Sequence, residues 1–534
     1  MGWTLRSDMG NSRAAFILLG IFFSAFLSTS DVLANNLNVS NVRLGSRDPS
    51  AKTVTVLFDI AWDNSWRNKI NHDAAWVTVR LSDVQSPSGE KRLCKFSASG
   101  IAPAGSSAGT NQNAEVYIPV DKVGAFIRPL AHQEVGSFSS KNVMLTADYG
   151  SCGFAEGSMI AVNVVGLEMV LVPEGSFYAG DMAHSQASLR RGSSDNNSWE
   201  ITGSGPISVT AANANGYYYT SGGNNGEFAT GTSFVIPQGF PKGYSAFYAM
   251  KYEITEGVWV DFVNSLPAAA RSARDLTDPS HKNSDAVLFR NTISCFGSPL
   301  TCSTQRPFRA LNYLSWKDLC AFLDWAGLRP LSELEFEKAA RGPSLPLPGE
   351  FAWGSTTVVP ALALSGVAEN GDETVVTPNA NANFGDQVLT GGDAAVGPGH
   401  QKGSFRAGIF STGISSRLSS GAGYYGMMEL SGNLKEWTVT IGNAQGLAFT
   451  GKNGDGYLTT ASGFEGNADV EGWPGMDVNV AKGVVSSVGA GFRGGSWQDT
   501  ASLLQVSDRS EAALTEENAG PAYGGRGART VEGQ

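Results

Sequence analysis

A chain of 534 residues is longer than one hydrophobic core usually serves. Apolar content of 42% with 10% aromatic residues excludes a disordered chain, and 65 glycines against 16% charged residues favour short strands and turns over long helices. A formal net charge of −11, without a Lys/Arg-rich stripe, repels phosphate backbones and excludes nucleic acid as a partner.

Residues 1–34 have the layout of a secretory signal peptide. Arg6 and Arg13, opposed by Asp8, precede the uncharged apolar run Ala14–Leu27 and the small-residue tripeptide Val32-Leu33-Ala34. The run is shorter than the ~20 residues a spanning helix needs, and no cysteine follows it to carry a lipid. No second long apolar segment exists, so the mature chain from Asn35 is expected to be secreted, periplasmic or at the cell surface, with no membrane span.

Residues 35–165 read as an all-β sandwich domain. Val54–Ile60 and Trp76–Val79 alternate apolar with polar residues, the period of half-buried strands. Ala114–Val120 reads as a later strand, and the Gly/Ala/Ser-rich stretch Gly100–Gln112 as a surface loop. An oxidising compartment permits disulfides. Cys94 and Cys152, in strand-like segments, are expected to pair, as are Cys295 and Cys302, which bracket a short loop. Cys320 is left over, at helical spacing from Trp316 and Leu323, and reads as a small core residue.

Residues 166–534 form the second expected domain, opening on the apolar strand Met169–Phe177. Thr255 is placed to cap a helix carrying Val258, Trp259, Phe262 and Val263, and Ser315 one carrying Trp316, Leu319, Cys320 and Leu323. Ser332 and Glu335 form a capping box before Phe336, Ala339 and Ala340, and Gly342 ends that helix. Long Gly/Asn/Ser-rich stretches near 181–235, 355–400 and 440–485 read as insertions decorating a compact core.

The order of motifs in this second part resembles the formylglycine-generating enzymes, also called sulfatase-modifying factors. Met169–Phe177 is followed by Tyr252-Glu253-Ile254-Thr255-Glu256, then Ser315-Trp316-Lys317-Asp318 and Trp325-Ala326-Gly327-Leu328-Arg329-Pro330-Leu331-Ser332-Glu333. Phe351-Ala352-Trp353-Gly354, Gly432-Asn433-Leu434-Lys435-Glu436-Trp437 and Phe492-Arg493-Gly494-Gly495-Ser496-Trp497 complete the series. The resemblance implies a variant of the C-type-lectin-like fold, α+β with little regular structure, following the N-terminal sandwich. In that fold Gly432, Gly494 and Gly495 permit close approach or positive φ, and Trp437 and Trp497 fill the core.

Catalytic members of the family use two cysteines, five residues apart just after the Arg-Gly-Gly-Ser strand, which bind copper and oxidise a sulfatase cysteine. In this chain those positions are Asp499 and Leu504. A carboxylate is a hard ligand and Leu has no donor atom, so a Cu(I) dithiolate site is not expected there, and none of the five cysteines lies beyond Cys320. A related branch carries an iron site of three histidines, but His72, His132, His184, His281 and His400 are scattered and read as solvated or locally hydrogen-bonded. The resemblance also implies structural calcium, with Asn383 and Phe384 matching one binding segment and Gly426 another; the second lacks its side-chain Asn, replaced by Gly423. Gly489-Ala490-Gly491-Phe492-Arg493-Gly494 leads into a strand rather than a helix, and Gly105-Ser106-Ser107-Ala108-Gly109 lies in a loop, so neither glycine motif carries its usual chemistry.

These readings point to a non-catalytic module for a protein or glycan ligand. Its expected face is residues 498–529, with Gln498, Asp499, Asp508, Arg509, Glu511, Tyr523 and Arg526 as candidate contacts. One alternative is a retroelement-diversified lectin-fold binding protein, because Val506–Arg509 through Gly524–Arg529 resembles the variable C-terminal segment of such proteins. Others are an architectural part docking through residues 35–165, and a formylglycine-generating oxidase acting on a sulfatase cysteine.

Overall fold

The computed structural model describes residues 37–86, 89–97, 100–102, 113–181, 187–193, 197–211, 216–367, 373–412 and 415–531. The expected leader, His184, and Gly105–Gly109 lie outside the described residues. Among those described, no helix is long and apolar enough to cross a membrane.

Strand Thr53–Arg67 follows its pattern: Val54, Val56, Phe58, Ile60 and Trp62 are buried and the residues between them are not. It pairs antiparallel with Asn38–Asp48 and Gln133–Asp148 in a three-stranded sheet. Strand Asp73–Asp83 departs from its expected half-burial, since every residue from Asp73 to Leu81 is buried. The reason is that both of its faces are covered. Ala75, Val77, Val79 and Leu81 share a core with Val56, Phe58 and Trp62 of the three-stranded sheet, whereas Ala74 and Trp76 enter a second core on the opposite face.

Asp73–Asp83 belongs to a nine-stranded sheet that runs through both expected domains. Strand Ile160–Val172 crosses the expected boundary at 165/166, pairing with Asp73–Asp83 from Ile160 to Val170 and with Phe247–Met250 from Met169 to Val172. The sheet continues on one side through Gly527–Thr530 to Arg329–Pro330, and on the other through Ala125–Pro129 and Ala114–Ile118 to Gly100–Ala102. That last strand corrects the loop expected from residue 100, because Gly100, Ile101 and Ala102 pair with Ile118, Tyr117 and Val116. One sheet thus separates two cores.

Three helices form where apolar periodicity and caps placed them: α1 (Glu256–Ser265), α3 (Trp316–Trp325) and α4 (Glu333–Arg341). The short helices α2 (Ala268–Ser272), α5 (Arg417–Ser420) and α6 (Ala444–Leu447) add to the expected three. Ser315 and Ser332 both make full capping boxes, with Asp318 and Glu335. Thr255 occupies the N-cap of α1 without a side-chain bond to it, and its hydroxyl is buried without a partner. Gly342 closes α4 at φ 71°, and a Cβ there would meet the Tyr424 ring at 2.3 Å, which sets the need for glycine.

The long polar stretches are packed parts of the fold. Trp199, Ile201, Tyr219 and Ile236 from the first, and Val470, Trp473 and Val484 from the third, join the core around α1 and α3. Ala361, Leu364 and Leu389 from the second form a smaller cluster with Phe405 and Ile409. Both expected disulfides are present, Cys94–Cys152 and Cys295–Cys302, and Cys320 is a buried free thiol on α3.

Arginine–carboxylate pairs hold the loop-rich half together from inside. Arg493 bonds Glu337 at 2.9 Å, Arg341 bonds Glu337 at 3.1 Å, and Arg306 and Arg309 share Asp393, each at 2.5 Å. Backbone without regular ladders leaves carbonyls to satisfy, and the same arginines bond these too: Arg493 reaches the Val506 and Asp508 carbonyls at 2.6 and 2.8 Å.

Candidate functional site

The expected site follows a three-stranded sheet in which Lys435–Val439 pairs with Ala490–Arg493 on one side and Tyr523–Gly524 on the other. Gly494 and Gly495, at φ 86° and 62°, turn the chain out of that sheet, and a Cβ on Gly495 would stand 2.7 Å from Leu504 Cδ1. Trp497 is buried beyond the turn and donates its indole N–H to the Pro521 carbonyl at 2.9 Å. The chain then reaches Asp499 and, after the short turn Ala501–Leu504, Leu504.

These two residues face different surroundings. Asp499 Oδ2 accepts the Ser496 N–H at 2.8 Å and its hydroxyl at 2.6 Å, and stands 3.3 Å from Lys435 Nζ. Leu504 is fully buried among Phe351, Ala352, Met427 and Val506. One position is committed to a polar cluster and the other to an apolar one. Cys320 does not substitute for either: it is sealed in α3, where burial pushes its thiol well above the usual range and opposes thiolate formation.

Of the candidate contacts, the structure groups Asp499 and Glu511 around Lys435, whose ammonium lies 2.6 Å from Glu511 Oε2. Burial alone would lower the lysine pKa, but the two carboxylates outweigh it and raise it, so Lys435 stays charged. Tyr523, half-buried, packs at a 35° tilt against Phe492 with centroids 4.6 Å apart, and Gln498 is exposed beside the turn. Lys435 is the member that the sequence reading missed. Its signal is the two-residue period of the strand, which puts it on the face of Trp437 and in register with Tyr523.

Three other candidates are held inside the protein. Arg509, fully buried, donates to both Glu333 oxygens at 3.0 Å and lies 4.7 Å from the Tyr219 ring centroid. Arg526 makes a two-pronged pair with Glu436 at 2.6 and 2.7 Å. Asp508 is buried and accepts the Ser510 hydroxyl at 2.6 Å. Burial first, and the neighbouring carboxylates Glu436 and Glu429 next, push Glu253 beside Arg526 well above the ordinary carboxylate range.

The two segments that the family resemblance offered for calcium lie against this framework. The Asn383 carbonyl accepts the Asn433 N–H at 2.9 Å and its amide nitrogen donates to the Gly403 carbonyl at 3.0 Å, leaving its amide oxygen as the hard side-chain donor of that segment. Gly426, at φ 94°, offers a carbonyl and no side chain, and Trp66 covers its Cα. Of the histidines, His72 bonds Tyr248 at 2.8 Å, His281 bonds Asp318 at 2.8 Å, and His400 bonds Asp393 at 3.1 Å, so these three are dispersed among separate local networks.

A search of curated proteins found no match. Residues 161–531 match the model of the sulfatase-modifying factor enzyme 1-like domain. With more than half of its length matched, and with the Arg-Gly-Gly-Ser-Trp turn and buried tryptophans in place, the chain belongs to the sulfatase-modifying factor (FGE-sulfatase) family.

Proposed function

We propose that this protein is a non-catalytic, secreted member of its family that binds a protein or glycan ligand. The binding face is the exposed part of 498–529, built from Gln498, Asp499, Glu511 and Tyr523 around Lys435. The observation that carries the reading is the pair of substitutions at the family's thiol positions: Asp499 is tied to Ser496 and Lys435, and Leu504 is packed in the core. Neither supplies the soft sulfur donors that Cu(I) chemistry requires. A cation flanked by two carboxylates, an aromatic ring and a free amide side chain is a recognition surface with donors and acceptors close together.

The test has two arms. Incubation with copper, oxygen and a peptide carrying Cys-x-Pro-x-Arg should give no aldehyde, and aldehyde formation would restore the oxidase reading. On a glycan array and against extracellular proteins, the Gln498→Ala/Glu511→Ala/Tyr523→Ala variant should lose the wild-type signals; their survival would move binding off this face. Structural calcium at Asn383 and Phe384 is part of the same proposal, because amide and carbonyl oxygens suit a hard cation. Chelation should then lower the melting temperature by several degrees, and an unchanged melt removes calcium from it.

A further inference from the structure

A cavity, far in sequence from the 498–529 face, lies where the N-terminal strands meet α1 and α2. It encloses about 450 Å³, a volume ordinary for a small-molecule site. Its walls are largely apolar, with Leu93, Leu266, Ala269, Ala270, Trp325 and Leu458 among them. One wall is charged. Arg80, 1% exposed, reaches it from the centre of the nine-stranded sheet, on the face that carries Trp76.

Arg80 differs from most other arginines of the core. Arg290, Arg306, Arg309, Arg329, Arg341, Arg493, Arg509, Arg526 and Arg529 are buried and each pairs with a carboxylate. Arg80 has no carboxylate within ion-pair distance among the described residues. It donates one hydrogen bond, from Nη2 to the Trp325 carbonyl, its carbon Cζ lies 4.0 Å from the Trp325 ring centroid, and Nε has no partner. The acidic groups at the rim are otherwise engaged: Glu90 stands 3.4 Å from Arg92, and Glu465 accepts the Gly463 N–H at 2.9 Å. A buried charge without a countercharge is costly, and a planar guanidinium is the side chain that best matches a carboxylate.

We infer that this cavity binds a small organic carboxylate, its apolar body among Leu93, Leu266 and Trp325 and its carboxylate on Arg80. The ligand would supply the anion that the fold omits at Arg80. The cavity joins Arg80 and residues 90–93 to residues from 265–270 and 456–466, so occupancy would tie the N-terminal strands to the later part of the chain on one face of the shared sheet.

Titration calorimetry on the full-length protein tests this with octanoate and 4-phenylbutyrate, each beside its neutral amide. The carboxylates should bind at least ~10-fold more tightly than the amides, the scale of a charge-assisted hydrogen bond in a buried site. Arg80→Met should abolish that preference. Ala269→Trp, at an exposed position on the cavity wall, fills the space without touching the arginine and should abolish binding of all four probes at an unchanged melting temperature. If Arg80→Met does not fold, the amide comparison and Ala269→Trp decide alone. Equal binding of acid and amide, a preference that survives Arg80→Met, binding that survives Ala269→Trp, or no binding of either carboxylate would overturn the inference.

Discussion

His281 shows how one residue couples this fold to pH. It lies between Asp278 at 3.0 Å and Asp318 at 2.8 Å; burial alone would lower its pKa, but the two carboxylates outweigh burial and push it up to about 9 from 6.5. A group whose folded pKa is raised stabilises the fold fully below its unfolded value, and that stabilisation is lost as pH rises through the folded one. His281→Gln should therefore cost about 2 kcal/mol at pH 6 and close to nothing at pH 10. Urea unfolding at the two pH values checks this, and an equal cost at both would show that the ion pair is not the cause. Leu504 carries a second residue-scale prediction. Because it is fully buried beside Gly495 and Val506, Leu504→Ala should cost about 3 kcal/mol by leaving a cavity, measured by chemical denaturation. A cost below about 1 kcal/mol would mean that the position is not a packed core site.

At the scale of elements, local signals succeeded where the physics is local. The caps at Ser315 and Ser332 are satisfied within four residues of chain, so both are legible in the sequence and present in the structure, where Asp318 completes a box at Ser315 as Glu335 does at Ser332. Ser332 adds what no spacing reveals, since its hydroxyl donates to the Pro241 carbonyl at 2.6 Å while accepting from the Glu335 N–H. Ser332→Ala should cost about 2 kcal/mol, the upper end for a lost cap, and slow amide exchange across α4 should be lost first. Unchanged exchange in Glu333–Arg341 would refute that role. Thr255, with the same composition signal, forms no cap bond, because a cap residue in extended conformation still needs its hydroxyl aimed at the helix. The candidate site was partly legible for the same reason. Gln498, Asp499, Glu511 and Tyr523 remain at or near the surface, whereas Arg509 and Arg526 carry charges that read as surface until Glu333 and Glu436 are seen opposite them.

For the whole molecule, the shared nine-stranded sheet predicts a single cooperative unit. Deleting residues 37–150 would strip Asp73–Asp83 from Ile160–Val172 along eleven paired residues and bare the face that Trp76 covers. A chain beginning at residue 151 should accordingly fail to give a cooperative melt, and the full-length protein should unfold in one calorimetric transition. A folded fragment, or two separate transitions, would show that the sheet joins two independently stable halves.

The sequence by itself determined the alternation of Thr53–Arg67, the capped helices, both disulfide pairs and the series of motifs that marks the family. Each of these is set by neighbours along the chain or by a few residue types with one purpose. Only the tertiary structure decided that Asp73–Leu81 is buried on both faces, that the sheet ignores the boundary at 165/166, and which arginines have carboxylates. Those outcomes depend on surfaces contributed by residues tens to hundreds of positions away, and burial or ion pairing is a property of what covers a side chain, not of the side chain alone.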